Sequence, residues 1–194
     1  MRKLKDILIG LDFELIQGSI EQEVTALHFD SRKVCEESVF FAIPGVLADG
    51  HDYIQSAIDQ GCRIVVCQRK VILNHEDVTC LMVNDTSVAL ALISGAFYHY
   101  PSEKLELVGI TGTNGKTSIA EYTRQIWNFQ KISCCSIGTL GIIYKKKILE
   151  TNLTTPETCD INRNLSLLSK KGCEKVIIEA SSIGLDQNRL FPLK

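Results

Sequence analysis

Histidine is scarce, with four in 194 residues. None stands with serine and acid, or with cysteine, as a convincing nucleophilic set, so covalent catalysis by a side chain is not indicated. No C-x-x-C pair occurs among the eight cysteines. The chain is too long and too core-rich for a small disulfide-stapled scaffold. No long apolar run exists either: the longest, Val88–Tyr98 (VALALISGAFY), is well short of the roughly 20 residues of a membrane helix. The opening MRKLKDILIG lacks the apolar region of a signal peptide, so no leader is expected. Neither sign of charge dominates, with Lys+Arg 21 against Asp+Glu 23 and a net charge of −2. There is no basic stripe for nucleic acid, and the one dense cationic run, Lys145-Lys146-Lys147, reads as a solvated hairpin. Internal repeats and low-complexity tracts are missing.

Apolar residues make up 45% of the chain and charged ones 23%, enough for a normal buried core. Cys62, Cys67, Cys80, Cys134, Cys135 and Cys173 all lie in or beside apolar, strand-like runs, where a free thiol behaves as a small hydrophobe. A reducing cytoplasm is the expected location.

Short strands and helices alternate along the chain. In the first half, KLKDILIGL suits a short amphipathic helix, and EVTALHFDS and SVFFAIPG suit strands. GHDYIQSAIDQG reads as a helix closed by Gly61. CRIVVCQ and VTCLMVND are strands, and Asp85 or Thr86 caps a helix running to about Tyr100 and ended by Pro101. HYPSEK is the domain boundary. Beyond it come the strand LELVGIT, a glycine-rich turn, a helix over 118–131, a strand over 133–139 and a hairpin around IIYKKKIL. A helix started by Pro156 and stopped by Gly172 follows, then the strand KVIIEAS. This order predicts an α/β protein with mostly parallel sheets. It divides into a small complete domain over 1–102 and the first part of a larger one over 103–194. The second is expected to leave apolar sheet surface uncovered.

The stretch VGITGTNGKTS carries the clearest chemistry. A phosphate loop follows a buried strand, turns on glycines so that backbone N–H groups face inward, and opens a helix whose amino end favours anions. It adds a lysine for the β/γ-phosphates and a hydroxyl for Mg²⁺. Gly109, Gly112 and Gly115 supply the turn here, and Lys116 is followed by Thr117 and Ser118. The general pattern G-x-x-x-x-G-K-[ST] fails at one place, where Ile110 stands for its first glycine. In KVIIEASS an apolar strand ends in Glu179, an acid of the kind that holds Mg²⁺ beside such a loop. TNLTTPET offers two hydroxyls before a proline. It reads equally well as a seat for an anionic substrate and as a routine helix start.

With GITGTNGKTS, LTTPET and EASSIGLDQNRL in this order, the chain resembles the Mur ligases, the ATP-dependent amino-acid ligases of peptidoglycan precursor synthesis. DSRKV (Asp30–Val34), VFFAIPG (Val39–Gly45) and ADGHDYI (Ala48–Ile54) resemble the uridine-nucleotide-binding domain of the MurE type. In this family the loop lacks a glycine at the Ile110 position. The resemblance implies a UDP-sugar-binding domain over 1–102 and a truncated P-loop-type ATP-binding domain over 103–194. Gly112, Thr113, Asn114, Gly115, Lys116, Thr117 and Ser118 would wrap the ATP phosphates. Thr117 and Glu179 would serve Mg²⁺, and Lys116 and Glu179 would be the catalytic pair. Phe29, Ser31, Val46, Leu47 and Ala48 would contact the UDP-sugar. Thr154, Thr155, Ser181, Gln187 and Arg189 would hold the muramoyl-peptide end. One departure is Ile183, where the family usually has histidine; any polar role there is lost.

The implied reaction is ATP-dependent amide formation through an acyl phosphate. It joins a diamino acid, meso-diaminopimelate or L-lysine, to UDP-N-acetylmuramoyl-L-alanyl-D-glutamate. The expected partners are that UDP-muramoyl-dipeptide, ATP and the diamino acid, with a monomeric chain and neither nucleic acid nor membrane. The alternative is a truncated remnant that holds nucleotide or UDP-sugar and ligates nothing.

Overall fold

The structure is a computed structural model that describes residues 1–45, 48–145 and 147–193. The chain divides into two compact units, Met1–Phe97 and Tyr98–Lys194. The division falls just before HYPSEK (99–104), where the sequence puts the boundary between 1–102 and 103–194. Tyr100 takes a left-handed backbone (φ 48°), and the short 3-10 turn Pro101–Lys104 after it packs on a helix of the second unit.

In the first unit, β1 (Arg2–Lys3) leads into α1 (Leu4–Ile7), then β2 (Glu14–Gln17), β3 (Glu23–Val24) and β4 (Ala26–His28). Then come β5 (Ser38–Phe41), α2 (Ile54–Asp59), β6 (Ile64–Cys67), β7 (Thr79–Met82) and α3 (Thr86–Phe97). The main sheet has the order β2-β7-β6-β5-β4. β4 to β7 run parallel, and β2 adds an antiparallel edge. Every residue of β5 and β6 is buried. Their unbroken apolar runs suit central parallel strands covered on both faces. Ile54, Ala57 and Ile58 of α2 pack on Phe40, Val65 and Cys80. At α3 it is Asp85 that caps: its Oδ1 accepts the N–H groups of Ser87 (2.7 Å) and Val88 (3.0 Å).

The second unit contains β8 (Glu106–Ile110), α4 (Lys116–Phe129), β9 (Cys134–Gly138), β10 (Gly141–Tyr144) and β11 (Lys147–Leu149). It continues with α5 (Thr158–Lys170), β12 (Lys175–Glu179) and α6 (Ser182–Asp186). Its sheet order is β11-β10-β9-β12-β8. The three strands nearest the glycine loop, β9, β12 and β8, are parallel, and the β10–β11 hairpin extends the sheet antiparallel. Ile161, Leu165 and Leu168 of α5 form a core with Ile137, Val176 and Ile178. α4 presents a different picture. Ile119, Tyr122, Ile126 and Phe129, at helical spacing, are all exposed, Phe129 by 90%. β8 is the edge strand beside it.

All eight cysteines are free, and the six assigned to the core by sequence are buried. Burial pushes the Cys135 thiol well above its usual range and the Cys173 thiol to about 11, so both stay protonated and inert. Among the described residues no helix is long and apolar enough to cross a membrane.

Candidate functional site: the glycine loop and the carboxyl edge of the second sheet

β8 and β12 lie in register with Ile110 opposite Glu179. The ladder is continued by the Ala180 N–H, which donates to the Ile110 carbonyl at 2.8 Å. Ile110 is thus still strand, and the loop starts at Thr111. That is the physical reason the missing glycine does no harm, since a residue held in a β ladder has no need of glycine's freedom.

The loop turns at Gly112 (φ 148°) and at Gly115 (φ 81°). Gly115 is the N-cap of α4 and has no side chain with which to cap it. The helix begins at Lys116, two residues earlier than the sequence suggests. Its first intrahelical bond runs from the Ile119 N–H to the Gly115 carbonyl. The N–H groups of Lys116, Thr117 and Ser118 therefore have no carbonyl four residues back within the helix, and the helix dipole adds positive potential there. Thr113, Asn114 and Gly115 are exposed. The half-buried Lys116 folds back, its Nζ donating to the Gly112 carbonyl at 2.6 Å.

Glu179 is the one buried acid of this edge among the described residues, 2% exposed. Its Oε2 accepts the Thr117 hydroxyl at 2.8 Å and the Thr139 hydroxyl at 3.2 Å, and its Oε1 accepts the Thr139 N–H at 3.1 Å. Sequence reasoning missed Thr139. It closes the strand IGT at the same sheet edge, and a hydroxyl at a strand's carboxyl end was the available signal. The donor set of one carboxylate and two hydroxyls is all oxygen. It fits a hard divalent cation that takes its other ligands from phosphate and water. Among the described residues no cluster of three or more His, Cys, Asp or Glu offers an all-protein metal cage.

The LTTPET segment lies against the same edge. The Thr154 hydroxyl is 3.1 Å from that of Thr139. Thr155, 1% exposed, donates to the Glu179 carbonyl at 2.8 Å and accepts the Ser181 N–H at 2.9 Å. Ser181 caps α6 by accepting the Gly184 N–H at 3.1 Å. Arg189 donates to the Thr155 carbonyl (2.9 Å) and to Gln187 Oε1 (2.5 Å), and pairs with Glu157 at 3.1 Å. Burial raises the Glu157 pKa, and the nearby Arg189 charge opposes that rise. Arg189 Nε is buried without a hydrogen-bond partner among the described residues. Thr154, Thr155, Ser181, Gln187 and Arg189 are therefore brought together. Gln187 and Arg189 already hold one another, an arrangement that sequence did not suggest.

In the first unit, Phe29 follows β4 and is 39% exposed. Ser31 is buried in a short 3-10 turn capped by Asp30. Arg32 beside it holds the Asp30 carboxyl down to about 2, mainly through their side-chain hydrogen bond. Ala48 is exposed, and its carbonyl accepts the Gly45 N–H at 2.9 Å. Val46 and Leu47, also expected to meet the UDP-sugar, lie outside the described residues. The residues that follow Ala48 are tied by groups the sequence did not single out. Asp49 bonds the His51 ring at 2.7 Å and Arg69 at 2.7 Å, while the other ring nitrogen of His51 accepts the Gln68 N–H at 3.1 Å.

A parallel strand, a glycine turn, a helix and an acid on the adjacent strand define the second unit as an α/β domain of the phosphate-loop type. Residues 110–193 match the Mur ligase middle domain, and residues 23–98 match the Mur ligase family, catalytic domain. The chain belongs to the Mur ligase family and carries its N-terminal and middle domains.

Among curated relatives, it is 35% identical over 188 residues to the UDP-N-acetylmuramoyl-L-alanyl-D-glutamate--2,6-diaminopimelate ligase of Clostridioides difficile (strain 630), covering 97% of this chain and 38% of that protein. It is 36% identical over 191 residues to the corresponding ligase 2 of Clostridium acetobutylicum, covering 97% of this chain and 40% of that protein. The chain thus spans well under half of the curated relatives it matches. Among solved structures, a UDP-N-acetylmuramoyl-L-alanyl-D-glutamate--2,6-diaminopimelate ligase superposes with TM-score 0.77 at 22% identity, over 97% of this chain and 38% of that one. The MurF ligase of Thermotoga maritima in complex with ADP superposes with TM-score 0.51 at 23% identity, over 82% of this chain and 32% of that one.

Proposed function

We propose that this chain supplies the uridine-nucleotide and ATP-phosphate portions of a ligase that adds a diamino acid to UDP-N-acetylmuramoyl-L-alanyl-D-glutamate. The observation that carries the reading is the Thr117–Glu179 hydrogen bond, 2.8 Å long, at the mouth of the glycine loop. The names of the relatives, which add 2,6-diaminopimelate, support the substrate, and the ADP complex of a MurF ligase supports the nucleotide.

In this reading the loop N–H groups and Lys116 gather the ATP phosphates. Lys116 exchanges the Gly112 carbonyl for the β/γ oxygens. Thr117 keeps its proton on Glu179 and turns its lone pairs outward, the orientation needed to ligate Mg²⁺. Mg²⁺, when bound, neutralises charge on the phosphates. The D-glutamyl side-chain carboxylate attacks the γ-phosphorus, and the bond to the β-bridging oxygen breaks, giving an acyl phosphate and ADP. The amine of the diamino acid then attacks the acyl carbon and expels phosphate, losing a proton as the amide forms. The protein's part is positioning and charge neutralisation. Phe29, Ser31 and Ala48 face the uridine nucleotide. Thr154, Thr155, Ser181, Gln187 and Arg189 hold the muramoyl peptide, with Arg189 Nε left to donate to an anionic oxygen.

The test is to incubate the chain with ATP, Mg²⁺, UDP-muramoyl-dipeptide and diaminopimelate, following phosphate and the tripeptide product. Phosphate release that requires all three substrates is the expected result for a ligase. Binding of ATP and UDP-sugar with no phosphate released would make the isolated chain a nucleotide-holding module instead.

A further inference from the structure

We propose that Thr139 is a positioning residue that couples an anionic ligand at Thr154 to the cation and nucleotide site at Thr117 and Glu179. The inference rests on the reading of that edge as a nucleotide site. Thr139 sits just past β9, and both its N–H (3.1 Å) and its hydroxyl (3.2 Å) reach the Glu179 carboxylate. The same hydroxyl is 3.1 Å from the Thr154 hydroxyl.

A hydroxyl has one proton to give and two lone pairs to receive. With three donors converging on it, Glu179 acts here only as an acceptor. The Thr139 proton therefore goes to Glu179, and Thr154 must be the donor to Thr139. Thr117 donates its proton to the same Glu179 oxygen, Oε2, at 2.8 Å. The order of donation is thus fixed, from Thr154 to Thr139 to Glu179, with Thr117 meeting it there.

A carboxylate or phosphate oxygen arriving at Thr154 competes for that hydroxyl's proton. When Thr154 turns to the ligand, the Thr139 oxygen loses that donor and has both lone pairs free beside Glu179. It is then available to the cation's hydration shell. Occupancy of the LTTPET segment strengthens the cation site with no backbone movement, and by reciprocity the loaded cation site favours the anion.

The experiment titrates the chain with a fluorescent N-methylanthraniloyl-ADP, with and without Mg²⁺, in the absence and presence of saturating UDP-N-acetylmuramoyl-L-alanyl-D-glutamate. In the native chain the dipeptide substrate should tighten Mg²⁺-dependent nucleotide binding by roughly three- to tenfold. Thr139→Val keeps the backbone N–H bond and the side-chain shape but removes the hydroxyl, and should reduce this factor to under about twofold. Thr139→Ser should restore it. Thr154→Val, at a partly exposed position, should also abolish it and provides a second route if Thr139→Val fails to fold. Full coupling retained in folded Thr139→Val or in Thr154→Val would overturn the inference. So would native chain that binds the nucleotide with Mg²⁺ yet shows no response to the dipeptide substrate. A native chain with no Mg²⁺-dependent nucleotide binding at all would overturn the nucleotide-site reading itself.

Discussion

Gly138 ends β9 directly against the Glu179 carboxylate, and a Cβ on Gly138 would overlap the Glu179 Cδ and Oε1. The glycine makes room for the acid, which is 2% exposed. Gly138→Ala should displace Glu179 from Thr117 and destabilise the second unit by about 1–3 kcal/mol, the usual cost of overpacking. Mg²⁺-dependent nucleotide binding should weaken by an order of magnitude while Mg²⁺-independent binding changes little. Urea unfolding and nucleotide titration read the two effects separately.

Lys116 has the opposite character. Its side chain donates to the Gly112 carbonyl, and the residue is half-buried. Lys116→Ala should leave the unfolding free energy within about 0.5 kcal/mol of native. Nucleotide affinity should fall at least roughly tenfold, the worth of a charge-assisted bond to phosphate. Unchanged ATP affinity in the folded variant would remove Lys116 from the site.

Thr155 joins the LTTPET segment to β12 through the Glu179 carbonyl and the Ser181 N–H. Thr155→Val would strand both partners in a buried place, at a cost of about 1–3 kcal/mol. Thr155→Ser keeps the hydroxyl and should recover most of that loss. Chemical denaturation of the pair checks it.

Asp30 gives an acid-side prediction. Its carboxyl is lowered from 3.8 to about 2, first by the side-chain hydrogen bond from Arg32. A depressed carboxylate stabilises the fold above its unfolded pKa, and this stabilisation is lost as pH falls through the folded value. The window is therefore about pH 4 down to pH 2. The Arg32 side chain is 84% exposed, so the contribution stays under about 1 kcal/mol. Melting temperatures of Asp30→Asn and native chain should converge below pH 2 and differ above pH 4.

The stripe Ile119, Tyr122, Ile126 and Phe129 on α4 leaves a contiguous apolar face exposed beside the edge strand β8. Residues 103–194 expressed alone should bind a hydrophobic dye and self-associate. Ile126→Gln with Phe129→Lys should suppress both without lowering the melting temperature. A monomeric, cooperatively melting, protease-resistant fragment with the native sequence would contradict this.

Much of the site was legible because its signals are local. Gly112 and Gly115, the lysine and hydroxyls after them and the apolar helix pattern lie within a few turns of chain, and so do the Asp85 cap and the Gly172 stop. Gly109, expected in the turn, is instead paired with Ile178 inside β8, because the ladder runs on to Ile110. Other features gave no local sign. β2 alternates weakly and is a strand only because β7 offers it an edge, and α6 is a single short helix held by the Ser181 cap. The start of α4 was placed two residues late because the left-handed turn at Gly115 shortens the loop.

Sequence by itself determined most of the order of strands and helices, the glycine-rich turn before α4 and the likeness to Mur ligases. All of these depend on neighbouring residues and on spacing. Only the tertiary structure decided that Thr117 meets Glu179 from 62 positions away and that Thr139 and Thr155 tie the LTTPET segment to the same acid. The same holds for Ile110, which tolerates its mismatch because it is paired in a ladder. Those relationships follow from which strands lie side by side at the carboxyl edge of one sheet. Strand order is settled by burial on both faces of the sheet, and no stretch of chain records it locally.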